Sequence, residues 1–522
     1  MGVLAVYDAV GIQNYIFSSN KLAENVGASK LVKDIFSETL RDSIAYETHE
    51  EVFNWKKHLD EGLSGDRTAE IIYQGGGNAY VAFRDESTFQ RVTKAFLEKV
   101  SIDACGIGIA VAAIETDFSD KGSMFNEDLK KLDKRLALSK GKFNISVFAG
   151  NQPITKQSFR TGLPVSYYDD EEYLSKSQYL KRQRDSKNKL DEETQFKDFD
   201  DLAFDKGTDS LIAIIHADGN NMGNQISDFM ETLGNYDTAV PKMRKFSDTI
   251  DKCYENARNI TLEAFKEKYS EYLTGLQEIY ASGKKFPKTP LLKLVDDGDD
   301  TTIVICGRFA LDFAVRLLRE IEKTPSEKKQ TACAGVVIFH SHYPFSEAYK
   351  LAEELCSNAK KRSRRNEGSY IDFQLHQSGG ISDLSTLRDK LYTVGDKSIL
   401  RRPWRVSEFD VPFGSEDGQP TSMDVARIFS EFEENMALIK DAIKEKKLPR
   451  NKIIGIRNAI GFNEQMTELA VNQLRDSELS DLFGPEADES GSTISKYAAR
   501  FDVLEMMDTY ENLLNTGGME HG

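Results

Sequence analysis

The sequence predicts an α+β fold of two antiparallel four-stranded sheets, each carrying helices, followed by a C-terminal group of helices. Three observations lead there. The same order of elements, strand, helix, hairpin, helix, strand, helix, is legible twice along the chain. Each copy opens on an apolar run that leads into an aspartate, Asp8 in the first and Asp218 in the second. The length of 522 residues exceeds what a single core organises, so two or three domains are expected.

In the first copy the opening strand is Val3 to Tyr7. A helix is predicted from Ala28 to about Tyr46, where Leu31, Ile35, Leu40 and Ile44 recur at helical spacing. Ile71 to Tyr73 and Ala79 to Phe83 flank Gly75-Gly76-Gly77 and read as a hairpin. A helix (Phe89 to Val100), a strand (Gly106 to Ile114) and a helix (Asn126 to Ser139) complete the unit. The second copy begins at Leu211 to Ile215 and continues with a long helix from about Val240 to Leu273. Its hairpin joins Leu291 to Val295 and Thr302 to Cys306 across an acidic turn. The helix Ala310 to Ile321, the strand Ala332 to Phe339 and the helix Phe345 to about Arg362 follow. This order makes two ferredoxin-like units with helices on one face of each sheet.

The implied domains are residues 1–160, a linker or insertion at 161–207, a second unit at 208–394 and a helical part at 395–522. Lys181 to Asp205 is dense in charge and is expected to be weakly ordered. Helical spacing in the last part is clearest from Val425 to Ile439 and at Met466, Leu469, Ala470 and Leu474.

No apolar run is long enough to span a membrane and no signal segment opens the chain, so the expected location is the cytoplasm. Five scattered cysteines without a CxxC motif read as buried thiols, not as a zinc ribbon. A net charge of -17 opposes tight binding of a long nucleic acid but not of small anions held through divalent cations.

The chemistry gathers at His216-Ala217-Asp218-Gly219-Asn220-Asn221-Met222-Gly223 and Val295-Asp296-Asp297-Gly298-Asp299-Asp300. In a ferredoxin-like sheet the first strand lies beside the central hairpin, so these carboxylates converge on one edge. Carboxylates that close repel unless a cation lies between them, and hard oxygen donors select Mg2+ or Mn2+. Such a site suits attack of a ribose hydroxyl on an α-phosphate of a nucleoside triphosphate. Gly219 and Gly298 let backbone approach phosphates. The acidic hairpin alone reads equally as a turn rich in Asp and Gly; the second Asp-Gly element at the matching place favours a metal site.

These residues resemble the second palm domain of the Cas10/Cmr2 family: Asp218 to Gly223, Gly298-Asp299-Asp300, Ala332 to His340 with Tyr343-Pro344, and the helix Ala348 to Lys361. Gly11 to Phe17, Gly27-Ala28-Ser29-Lys30-Leu31 and Tyr73 to Asn78 resemble the first palm of the same family. The resemblance implies that Asp218, Asp299 and Asp300 are the catalytic, metal-holding aspartates. It further implies synthesis of cyclic oligoadenylates that switch on effector proteins. Two departures stand out: Asp297 replaces the first glycine of the family's hairpin, and Asn220 stands where a second aspartate is common. Asp297 would either crowd a nucleotide or add a ligand. No His-Asp dipeptide occurs in the chain, so the family's nuclease domain is not expected in it.

The nucleotide-binding set expected from motif and resemblance is Gly219, Asn221, Asp297, Gly298, Lys360, Arg364, Gly75, Gly76, Gly77, Asn78 and Lys30. Lys360 and Arg364 close the last helix of the second unit, where basic residues also suit a helix C-terminus. Gly75 to Asn78 carries no carboxylate and reads either as a nucleotide cradle or as a plain glycine hairpin. The leading function is a nucleotidyltransferase making a cyclic or short linear oligonucleotide signal, in antiviral defence. The alternative is a catalytically silent nucleotide-binding scaffold in a CRISPR type III-like complex. Expected partners are nucleoside triphosphates, an effector protein or CRISPR-like subunits.

Overall fold

The computed structural model describes residues 2–119, 122–142, 154–187, 196, 198–204, 210–279, 290–325, 329–377, 380, 383–407, 428–474, 477–485 and 494–514. It divides into two compact units. One takes Met1–Asp198, Asn221–Tyr254 and Leu294–Asp299, the other Phe199–Asn220, Glu255–Lys293 and Asp300–Gly522.

The first unit begins with β1 (Gly2–Val10), α1 (Ile12–Phe17), α2 (Leu22–Asp34) and, after a π-helical stretch Ile35–Leu40, α3 (Arg41–Thr48). The single helix predicted from Ala28 to Tyr46 is therefore continuous in direction but interrupted in hydrogen bonding. β2 (Ala69–Gly75), β3 (Asn78–Phe83), α4 (Glu86–Asp103), β4 (Gly108–Thr116) and α5 (Phe125–Lys142) follow. The strands form a sheet of order β2-β3-β1-β4, with β1 antiparallel to both neighbours.

Both faces of this sheet are covered, whereas helices on one face were expected. Val3, Ala5, Tyr7 and Ala9 pack with Phe36, Leu40, Val92 and Phe96. Leu4 and Val6 pack on the other side with Phe125, Leu129 and Leu132, joined by Tyr236, Ala239 and Val240. The unbroken apolar run of β1 is the sequence mark of such two-sided burial. Tyr236 opens α8 (Tyr236–Ile279), which follows α7 (Met222–Glu231). From α8 the fully buried Arg244 donates to Glu70 at 2.8 Å and to the carbonyl oxygens of Glu61 and Ile72.

Within 161–207, read from the sequence as a linker or insertion, lie a hairpin, β5 (Val165–Asp169) and β6 (Glu172–Ser175), and α6 (Lys176–Lys187), whose last residues, Lys181–Lys187, fall in the segment expected to be weakly ordered. Positions 188–195, 197 and 205 lie outside the described residues. α6 lies directly on α2: a Cβ on Gly27 would come 1.7 Å from the Lys181 carbonyl oxygen, so only glycine allows the approach. Lys181 is buried there, donating to the Tyr15 carbonyl at 2.6 Å with its ammonium 4.0 Å from the Tyr15 ring.

The second unit is built on β7 (Leu211–Gly219), with β9 (Asp300–Cys306), α9 (Ala310–Lys323), β10 (Ala332–His340), α10 (Phe345–Ser363) and the first residues, up to Lys293, of β8 (Leu291–Asp297). After α10 come β11 (Tyr370–His376), α11 (Leu384–Leu391), the two-residue ribbon β12 (Thr393–Val394) and β13 (Lys397–Ser398), and β14 (Trp404–Arg405). The sheet order is β14-β11-β10-β7-β9-β8. Its part β10-β7-β9-β8 repeats the first sheet, and β11, parallel to β10, with β14 extends it to six strands. β11 is buried throughout although it carries Asp372, Gln374 and His376; Asp372 is held by Arg388 at 2.6 Å and Asn358 at 2.7 Å.

The helices α12 (Phe429–Lys444), α13 (Arg450–Ile460), α14 (Glu464–Asn472), α15 (Ser477–Leu482) and α16 (Ala498–Met506) form the C-terminal part. The buried side of α14 is Thr467 and Val471, while Met466 and Leu469 are exposed, so the apolar spacing read from the sequence there is not the packed face. Cys253, Cys306, Cys333 and Cys356 are buried free thiols and Cys105 is half-buried. Among the described residues no helix is long and apolar enough to cross a membrane.

Candidate active site

The antiparallel register of β7 and β9 pairs His216 with Thr302 and Ala217 with Thr301. The same register, continued one step past its last pair, would set Asp218 opposite Asp300 where the two strands end. Residues opposed in this way share a face of the sheet with Cα atoms about 5 Å apart. Alternation puts His216 on that face as well. Both carboxylates are open to solvent by about a third, with side-chain exposures of 37% for Asp218 and 35% for Asp300.

α10 covers this face with the stripe Tyr349, Glu353, Cys356 and Lys360, spaced for one side of a helix. The Tyr349 ring meets the His216 ring edge-on at 5.6 Å. One α10 turn from the helix end, the Lys360 Nζ lies 2.5 Å from Asp218 Oδ2. The helix reaches so close because β10 carries Gly335, where a Cβ would be 2.1 Å from the Ala352 carbonyl oxygen and 2.5 Å from the Cys356 nitrogen. Cys356 Sγ donates to the Cys333 carbonyl at 3.3 Å beneath the carboxylates.

Burial pulls the His216 imidazole down to about 4, against the opposing influence of Asp218, so it is neutral near pH 7. Its Nδ1 is 3.3 Å from Thr302 Oγ1 and 3.5 Å from Asp300 Oδ1, which makes it a neutral prop for the strand end and not a counter-charge. Burial, reinforced by the Asp300 and Glu353 carboxylates, pushes the Tyr349 phenol far above its ordinary range. Burial likewise raises Glu353.

The remaining residues singled out in the sequence fall into place around this pair. Gly219 ends β7 opposite Ala332. Asn220 is buried and donates from Nδ2 to Thr331 Oγ1 and to the Gly368 carbonyl, both at 3.0 Å, so it ties the loops behind the site. Arg364 is the exposed C-cap residue of α10 and takes no part in the contact that Lys360 makes with Asp218.

In the first unit, Asn221 takes a left-handed conformation as the N-cap of α7. Asp297, Gly298 and Asp299 form the tip of the acidic hairpin, with Gly298 at φ 55°. Asp251 of α8 lies beside this tip: its Oδ1 is 3.9 Å from where a Gly298 Cβ would stand. Burial raises the Asp251 carboxyl, Lys56 at 3.5 Å lowers it, and Asp297 raises it again. Burial, then Asp251 and Asp297, push up the Tyr73 phenol. Gly76 and Gly77, at φ 59° and 78°, make the tight two-residue turn that joins β2 to β3 through Gly75 and Asn78. Gly77 also accepts a hydrogen bond from Ala9 N at 2.9 Å, and a Cβ on it would collide with Ile12. Backbone geometry thus accounts for these glycines. Lys30 is half-buried in α2, next to Ser29, whose hydroxyl donates to the Leu294 carbonyl.

The sequence marked His216 within the motif but gave it no role of its own, and it did not single out Tyr349, Glu353 or Asp251. A signal was there for the first three: His216 precedes Asp218 by two on a strand, and Tyr349 and Glu353 share a helical face with Lys360. Asp251 carries no local signal. Asp218 and Asp300 are hard-oxygen donors of the kind that suit Mg2+ or Mn2+. Among the described residues no three His, Cys, Asp or Glu side chains are grouped closely enough to hold a metal ion.

Residues 211–368 match the family model described as Cas10/Cmr2, second palm domain. No curated protein matches the sequence. Among solved structures the chain is similar to the apo Csm1–Csm4 cassette, with a TM-score of 0.55 and 15% identity. It is similar also to that cassette in complex with cA4 and in complex with AMPPNP, each with a TM-score of 0.53 and 13% identity. Each likeness covers 97% of this chain and 69% of the other. At these identities the likeness is one of fold.

Proposed function

We propose, from the premise that this is a Cas10-like chain with a second palm at residues 211–368, that it is a metal-dependent nucleotidyltransferase. It joins nucleoside triphosphates into a short linear or cyclic oligonucleotide, as a signal in antiviral defence. The observation that carries this reading is that β7 and β9, paired up to Ala217 and Thr301, bring Asp218 and Asp300 to their adjoining ends, with Lys360 against Asp218. Structures of the Csm1–Csm4 cassette in complex with AMPPNP and in complex with cA4 support it, since a similar fold holds both.

Asp218 and Asp300, with Asp299 from the hairpin tip, would hold Mg2+ or Mn2+. That ion, when bound, favours ionisation of an acceptor hydroxyl and offsets charge on the leaving pyrophosphate. The Lys360 ammonium, now on Asp218, is placed to turn to a triphosphate oxygen, a point charge that neutralises without demanding a fixed geometry. Neutral His216 and Thr302 keep the Asp300 end of β9 in position. In the second unit Gly219 would let backbone approach a nucleotide and Arg364 would add charge at the end of α10. In the first unit Asn221, Asp297 and Gly298, and the Gly75 to Asn78 turn with Lys30, are the nucleotide-binding candidates. The partners of this reading are an effector protein or CRISPR-like subunits, in the cytoplasm.

The test is incubation of the purified chain with each ribo- and deoxyribonucleoside triphosphate plus Mg2+ or Mn2+, followed by mass spectrometry. An oligonucleotide product absent from Asp218→Asn is expected; a product of equal yield from that variant overturns the reading. A second reading, a nucleotide-binding scaffold without turnover, is favoured by one observation: Lys360 already neutralises Asp218. Nucleotide binding without any product, with or without phage extract, would support it.

A further inference from the structure

The second unit holds a cavity of about 330 Å³ away from Asp218 and Asp300, between β11, α11 and the C-terminal helices. Its floor is polar and buried: Gln374, Tyr392 and Glu505 are each at most 9% exposed. Gln374 spends both amide hydrogens, on the Tyr392 hydroxyl at 2.6 Å and the Leu375 carbonyl at 3.1 Å. Its Oε1 has no hydrogen-bond partner among the described residues. Tyr392 in turn donates to Glu505 Oε1 at 2.6 Å, and Arg402 donates to Glu505 Oε2 at 2.7 Å. Each Glu505 oxygen keeps a lone pair for a further donor. Gln374 and Glu505 therefore present acceptors, beside the buried His376 ring, which brings at least one N–H of its own, and the two acceptors call for a ligand that brings N–H groups.

The walls are flat and apolar, with Phe501 and Tyr392 edge-to-face at 5.8 Å beside Leu387. The rim carries one cation of the cavity, the half-buried Arg457, together with exposed Leu391. Aromatic walls suit a planar ring, and one guanidinium suits one phosphate. The volume lies at the small end for ligand pockets.

We propose that this cavity is a second nucleotide site that takes an aminopurine nucleoside monophosphate. Its amino group is directed at Glu505 and Gln374, its ring lies between Phe501 and Leu387, and its phosphate meets Arg457. The site is independent of the palm chemistry and does not need that reading to hold.

Calorimetric titration of the full chain in EDTA with AMP, GMP, IMP and inorganic phosphate tests it. AMP or GMP is expected to bind with one site per chain, unaffected by Asp218→Asn. Arg457→Ala, a half-exposed change, is expected to weaken binding about tenfold. Leu391→Trp at the exposed rim is expected to abolish it by filling the mouth. IMP, lacking the amino group in guanine and adenine, is expected to bind at least tenfold more weakly. The proposal is overturned by no binding of AMP or GMP at millimolar concentration, by phosphate binding as tightly as both, or by affinities unchanged in Arg457→Ala and Leu391→Trp.

Discussion

Lys360 Nζ lies 2.5 Å from Asp218 Oδ2, so the carboxylate that ends β7 is answered by a cation from the last turns of α10. The pair is partly exposed, and such pairs contribute at most about 1 kcal/mol to stability. Lys360→Met is therefore expected to leave the melting temperature within a few degrees of the parent protein while reducing nucleotide turnover at least tenfold. Thermal denaturation beside a turnover assay checks both halves. A large loss of stability with unchanged turnover would make the pair a structural one.

Gly335 lets β10 and α10 meet backbone to backbone. Gly335→Ala must push α10 outward, with a cost of roughly 1–3 kcal/mol for overpacking. Because Lys360 and Tyr349 travel with that helix, turnover should fall as well. Gly141→Ala, near the end of α5 where a Cβ meets nothing within 4 Å, is the control and should leave turnover unchanged and stability unchanged or slightly raised. Denaturant unfolding and the turnover assay report the two effects.

Lys181 has its ammonium depressed from 10.5 to about 8 by burial. The unfolded chain holds that proton up to higher pH than the folded one, so folding stability rises with pH between about 8 and 10.5. The contribution is full above 10.5 and is lost as pH falls through about 8. Against Lys181→Met, the parent protein should gain on the order of 3 kcal/mol across that window. Urea unfolding of both proteins at pH 7.5 and 10.5 measures it, and a constant difference would contradict the assignment.

Asp297 stands where the family's hairpin has glycine, and its charge raises the half-buried Asp251 carboxyl. Asp297→Gly should relieve this repulsion and stabilise the protein by up to about 1 kcal/mol at low salt, with the gain shrinking as salt screens it. Melting temperatures of both proteins across a salt series test the sign.

Much of this architecture was legible in the sequence because it is local. The run Val3 to Tyr7, the two hairpins and the amphipathic Phe345 to Arg362 each announce their own element. Asp218 and Asp300 were legible because a strand end and a hairpin turn must meet in this topology. What escaped depends on distance in the chain. The second face of the first sheet is covered by α5, the helix next after β4, and by Tyr236, Ala239 and Val240, more than a hundred residues after β4, and only the latter lay beyond local reach. The β11 strand hides three polar side chains whose burial is made tolerable by partners such as Arg388 and Tyr392. Met466 and Leu469 marked a helix that is present, α14, but their spacing does not say which side is packed, and both are exposed. Gly75 to Gly77 read equally as a cradle and as a plain turn, and the positive φ of Gly76 and Gly77 is what a turn asks for with or without a nucleotide.

The central claim is that Asp218 and Asp300 form one catalytic pair. Pyrophosphate release from nucleoside triphosphates should be measured for the parent protein, Asp218→Asn and Asp300→Asn, with circular dichroism to confirm that all three are folded. The account expects metal-dependent release by the parent and a loss of at least a hundredfold in each folded variant. Release that persists in either folded variant would contradict it.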